Sequence, residues 1–186
     1  EFKDFREEGN KEDGGARCGV WDGLETVRVD ADGRRWELRR LVREAILFVP
    51  RKFGKTTLMS GTSASELIFG DANGQIYNCA NSNNQAEIGF NILRTVITTI
   101  DPKNKRFKVN LDEISSKMKG RTTFATALAN VPERLDGLNV SLYTLDEYSQ
   151  AKSSAMRDVM NTATGTRLNP LELIITTASD LLESPF

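Results

Sequence analysis

A chain of 186 residues, 39% apolar and 27% charged, can bury one sheet with its covering helices and has too many apolar residues for a disordered or fibrous class. Its 25 basic side chains against 26 acidic ones leave a net charge of −1, which excludes a whole-chain basic footprint for nucleic acid and confines any such contact to a local patch or a ring of subunits. Cys18 and Cys79 have neither a metal spacing nor a disulfide pattern, which points to a reduced, intracellular setting, and no apolar run nears the roughly 20 residues that span a bilayer. The N-terminus lacks a signal-peptide hydrophobic region and begins without methionine, so a soluble protein, excised from a longer one, is expected.

Residues 1–35, rich in charge and glycine, read as a partly irregular lead-in with one hairpin around residues 30–33, and residues 36–186 as a single domain. AILFVP (45–50) is a short continuous apolar run, expected as a strand covered on both faces. A helix follows from Lys55 to about Phe69, stopped by Gly70, and then a strand, QIYNCA (75–80). Over 85–100, Ile88, Ile92, Leu93, Val96, Ile97 and Ile100 fall on one helical face, and Asp101-Pro102 ends it. RFKVN and RTTFATALA are expected as strands joined by the polar SSKMKG. SLYTLDE (141–147) reads as a strand ending in two acids, 151–163 as a helix carrying Ala155, Met156, Val159 and Met160, and LELIITTAS (171–179) as the last strand. Alternating strands and helices predict an α/β fold with a mostly parallel sheet flanked by helices.

Three sets of residues at strand ends carry chemistry. In FVPRKFGKTT (48–57) a strand runs into a glycine turn that opens a helix. Successive amides of Arg51, Lys52, Phe53 and Gly54, with the positive helix end behind them, suit a phosphate. Lys55 suits terminal phosphates, Thr56 a Mg²⁺ ion, and Thr57 completes the hydroxyl pair. Val49 stands where the common form of the motif has glycine, and a solvated basic turn is the plain alternative. Asp146 and Glu147 supply one carboxylate for metal and one to orient an attacking water, or else merely open the helix near Ser149. ITTAS (175–179) offers hydroxyls that sense the γ-phosphate. Lys55 and Asp146 lie 91 positions apart, room for other strands to separate the loop strand from its neighbour in sequence. All three sets occupy the carboxyl ends of strands, where open α/β sheets bind ligands.

Together these segments resemble the large terminase subunit of tailed double-stranded DNA bacteriophages, through VPRKFGKTT, NCANSNNQAEIGF, LDGLN followed by SLYTLDEYSQA, and TGTRLNPLELIITTAS, in family order from about residue 34 to 180. The resemblance implies a P-loop NTPase of the type with an additional catalytic glutamate, binding ATP and Mg²⁺. Arg51 matches the family's basic position, with a catalytic role beside Glu147. Lys55 and Thr56 bind phosphate and Mg²⁺, Asp146 is the metal-side acid, and Thr176, Thr177 and Ala178 form the coupling motif, with Ser179 where glycine is commoner. Arg134, or else Arg121, is nominated as the arginine given to a neighbouring subunit. No counterpart of the adenine-reading glutamine stands in residues 1–40, and no nuclease domain or nuclease activity is expected. The implied partners are double-stranded DNA, the portal protein, the small terminase subunit and further copies in a ring, without a membrane, in the host bacterial cytoplasm at the procapsid portal and not in the mature virion. The alternatives are a helicase-like nucleic-acid-dependent ATPase and a non-hydrolysing nucleotide-binding assembly module.

Overall fold

The computed structural model describes residues 2–3, 27–29, 33, 35–37, 39–117, 122–129 and 137–177. Two short antiparallel pairs come first: β1 (Phe2–Lys3) with β4 (Arg39–Arg40), and β2 (Val27–Val29) with β3 (Arg35–Glu37). The second pair brackets the expected hairpin, and Gly33 within it has the positive φ of 78° that its turn requires.

The main sheet is built from β5 (Glu44–Phe48), β6 (Gln75–Ala80), β7 (Phe107–Val109), β8 (Glu113–Ser116), β9 (Phe124–Leu128), β10 (Val140–Asp146) and β11 (Leu171–Thr176). Its spatial order is β5-β11-β10-β6-β9-β8-β7. The first five of these run parallel, and β8 and β7 add antiparallel pairings at the far edge. Thus β11 and β10 separate β5 from β6, the insertion that the long Lys55–Asp146 spacing permits.

Helices α1 (Lys55–Phe69) and α2 (Asn83–Ile100) share one core with Leu142, Leu173 and Ile175, and α3 (Ala155–Ala163) sends Met160 into a second core with Tyr143, Leu145 and Ile174. Alternate residues of β10 and β11 therefore enter different cores, which is why both strands are buried along nearly their whole length. Each fully buried leucine or isoleucine here contributes roughly 1.5–3 kcal/mol.

Helix α1 stops where the Gly70 amide bonds the Glu66 carbonyl. Ser82 opens α2 by accepting from the Gln85 amide, and the Asp101 carboxylate takes the amides of Lys105, Arg106 and Phe107 to turn the chain into β7.

Four expectations are corrected. Strand β5 is not covered on both faces: it is an edge strand, and Ile46 and Phe48 are exposed while Ala45 and Leu47 pack on the α1 core. The buried side of α2 is Ala86, Gly89, Phe90, Leu93 and Ile97, with Ile88 and Ile100 outside, because small residues let α1 come close enough for the Ser60 hydroxyl to donate to the Gly89 carbonyl. Part of the supposed joiner is strand β8, whose Ile114 is fully buried. The helix expected from 151 begins at Ala155, after a 3₁₀ turn at Tyr148–Gln150. Cys79 is buried and its thiol is pushed up to about 12, which makes it inert; Cys18 lies outside the described residues.

Candidate active site

The loop between β5 and α1 is set by two left-handed residues, Lys52 (φ 64°) and Gly54 (φ 80°). Only glycine adopts such a φ without steric penalty, so the Gly54 position fits its residue and the Lys52 position is strained. Gly54 is the N-cap of α1 and brings no capping side chain, and the first amides of a helix have no partner within it. Arg51, Lys52 and Phe53 are exposed on this loop, Thr56 is half-buried and Thr57 exposed.

Strand β10 brings the acids to the same end of the sheet. Lys55 Nζ lies 2.6 Å from Glu147 Oε1, with the lysine side chain 9% exposed and the glutamate 21%. Thr177 Oγ1 donates to the other glutamate oxygen, Oε2, at 2.9 Å. Burial alone would raise the Glu147 pKa, but the Lys55 ammonium and the Thr177 hydroxyl prevail and hold it below the usual carboxylate value. Asp146 goes the other way: burial, then repulsion from Glu147, raises its pKa against the pull of Lys55. Neighbouring carboxylates pushed apart in this way suit different tasks.

Glu147 itself is left-handed, with φ 52°. Its amide donates to the Ile175 carbonyl and its own carbonyl accepts from Asn81 Nδ2, both at 2.9 Å. The buried Thr176 hydroxyl accepts from the Ser149 amide at 3.0 Å, and the Ser149 hydroxyl donates to the Thr177 carbonyl at the same distance. Asn81 and Ser149 escaped the sequence reading. The available signal was position alone, one residue beyond a strand and two beyond Glu147.

The structure brings Lys55, Asp146, Glu147, Thr176 and Thr177 together beside the loop of Arg51–Thr57. Arg134, Arg121 and Ala178 lie outside the described residues. Among the described residues no group of three or more histidine, cysteine or acidic side chains forms a metal cage. A Mg²⁺ carried by a nucleotide needs fewer protein ligands, and the donor set fits one: Asp146 Oδ1 is buried with no hydrogen-bond partner, an acceptor without a donor.

A parallel sheet whose edge strand feeds a left-handed glycine turn and a helix, with paired acids two strands away, is a P-loop NTPase-like fold. Residues 33–186 match the family described as "Terminase large subunit, ATPase domain", and the chain belongs to that family. It is 33% identical over 139 residues to the large terminase subunit of Enterobacteria phage HK97, covering 72% of this chain and 27% of that protein. The crystal structure of the HK97 large terminase superimposes with a TM-score of 0.61 at 29% identity, over 73% of this chain and 29% of the other. The large-terminase ATPase domain of Thermus phage P74-26 gives 0.60 at 21% identity, over 75% and 61%. The large terminase of another thermophilic bacteriophage, solved in complex with ADP, gives 0.56 at 12%, over 72% and 33%. The last two likenesses speak for the fold. The chain thus spans about a quarter of the length of the curated relative it matches.

Proposed function

We propose that this domain binds ATP with Mg²⁺ at the 51–57 loop and hydrolyses it, as the ATPase unit of a motor that drives viral double-stranded DNA into a procapsid. The observation that carries the reading is the Lys55–Glu147 pair at 2.6 Å, completed by Thr177. Both glutamate oxygens are engaged, so Glu147 is charged and oriented but its charge is shared with Lys55. A phosphate group competing for Lys55 draws the ammonium toward the loop and releases Glu147 to accept a proton from water. The backbone amides of the loop and the N-terminus of α1 hold the phosphates, and Arg51 adds charge at the loop's start. The Thr56 hydroxyl and Asp146 would hold Mg²⁺, which when bound neutralises negative charge on the phosphate oxygens. Thr176 and Thr177 join the site to the turn after β10, through Ser149, and so relay changes at Glu147.

Family membership favours this reading over a helicase-like or non-hydrolysing one. The portal protein, the small terminase subunit, a ring of copies with Arg134 or Arg121 acting across it, and a place in the host cytoplasm belong to the same proposal. No helix among the described residues is long and apolar enough to cross a membrane, in keeping with it.

The test is a pair of variants followed by nucleotide binding and by phosphate release. Lys55→Ala loses ATP binding. Glu147→Gln keeps binding and loses turnover by at least about 10²-fold, in line with removal of a general base. Hydrolysis retained in Glu147→Gln overturns the assignment of the base.

A further inference from the structure

We propose that the β7–β8 hairpin, at the opposite edge of the sheet from the nucleotide loop, is a docking surface for the phosphate backbone of double-stranded DNA, through Lys103, Lys105, Arg106, Lys108 and Lys117. The proposal rests on the motor reading above and adds the surface to it. These five cations are exposed, and none is paired with a carboxylate among the described residues. In a chain whose net charge is −1, five cations within 15 residues are a concentration, set against only Asp112 and Glu113 in the same span. The nearest other acid, Asp101, is buried and bound to three backbone amides.

Strand register lines the cations up. Phe107 pairs with Ser116 and Lys108 with Ser115, and the Lys117 amide bonds the Arg106 carbonyl, which extends the ladder by one step. Phe107 and Ile114 are buried, so Arg106, Lys108 and Lys117 share the opposite face. Arg106 and Lys108 then stand roughly 6.7 Å apart along the strand, about two nucleotide steps of a duplex strand. The asparagine-lysine turn before β7 extends the row with Lys103 and Lys105. The five positions expose no large apolar side chain; Leu111 sits beyond them, at the hairpin tip. A protein partner is usually gripped by buried aromatic or aliphatic anchors, whereas a phosphate backbone asks only for charge on flexible stems.

The experiment measures binding of a fluorescent duplex of about 30 base pairs by the intact protein across a salt series, with basal ATP turnover recorded in parallel. Lys103→Ala/Lys105→Ala/Lys108→Ala is the working variant, because Lys117 Nζ also bonds the Asn104 carbonyl and Arg106 adjoins Asp101. Each lost phosphate contact lowers the slope of log affinity against log salt by about 0.9, so the triple variant should flatten it by roughly 2.7 and weaken binding at least tenfold at low salt. Replacing the same lysines with arginine should restore both, and basal turnover should stay at the wild-type level. Equal slopes and affinities for wild type and triple variant overturn the surface, leaving it to an acidic protein partner. Failure of the motor reading shows separately, as absent turnover in the wild type or as turnover indifferent to Lys55.

Discussion

Thr177→Val tests whether the hydroxyl of the last strand sets the charge state of Glu147. The substitution keeps the buried branched shape of Thr177, 4% exposed, and removes the 2.9 Å donor to Glu147 Oε2 while leaving Lys55 on Oε1. A hydrogen bond to a charged group contributes about 1.5–3 kcal/mol. With Glu147 a fifth exposed, solvent takes over part of the role, leaving about 1 kcal/mol, so the Glu147 pKa should move upward toward the ordinary carboxylate value. The sign follows from linkage: a carboxyl held below its usual value stabilises the fold above that value, and the stabilisation disappears as pH falls through the lowered one. The variant should therefore melt about 2–4 °C lower at neutral pH and match the wild type once the pH has fallen below the lowered Glu147 value. Carboxyl-resolved NMR in nucleotide-free, EDTA-treated buffer reads the pKa directly, and melting curves across pH read the stability. An unmoved Glu147 titration with a folded variant would refute the reasoning.

The Asp146 carboxyl is raised above its usual value, so its charge opposes folding at neutral pH and stops doing so below about pH 3.8, where it is protonated even unfolded. Asp146→Asn should raise the melting temperature by about 2–4 °C at neutral pH while turnover falls at least tenfold; a lower melting temperature contradicts the assigned cause. A Cβ built on Gly89 would meet Thr56 Cγ2 at 3.6 Å, an ordinary contact. Gly89→Ala should then stabilise α2 by about 0.5–1 kcal/mol with ATP affinity intact, whereas Gly89→Leu must displace Thr56 and weaken ATP binding several-fold in an equilibrium titration. Equal ATP affinities for the two variants would disconnect Gly89 from Thr56.

Much of the architecture was legible because local rules and tertiary context agree. Lys55–Phe69 and Gln75–Ala80 fall on the expected residues, since Gly54, Gly70 and the apolar run leave little choice. The misses have a common origin in neighbours that are distant in sequence. A run such as AILFVP reads alike in a central and an edge strand, and only the pairing of β5 with β11 alone decides between them. The stripe of isoleucines on α2 gave way because close approach of α1 favours Ala86 and Gly89 over larger side chains. Strand β8 is short and polar, and its pairing with β7 and β9 supplies what its residues do not. Motif residues in the site were readable from type and position, while Asn81 and Ser149 act through backbone bonds to Glu147 and Thr177, which no residue pattern announces.

The backbone itself separates this site from ordinary turns. Among the described residues, left-handed φ occurs at glycines, at Asn73 and Asn104, and at just two others, Lys52 and Glu147. Asparagine and glycine tolerate that conformation; for lysine and glutamate it costs about 1–2 kcal/mol each. Both lie at the candidate site, one in the phosphate loop and one as the acid facing it. For Glu147 the restraint is visible: Ile175 and Asn81 hold its backbone from opposite sides, and Thr177 and Lys55 hold its carboxylate. These contacts offset the strain, and they come from the ends of β6 and β11 and from the first turn of α1, so the conformation depends on all three elements being in place. A fold that spends packing and hydrogen bonds to keep a glutamate in a disfavoured geometry is organised around the direction in which that carboxylate points.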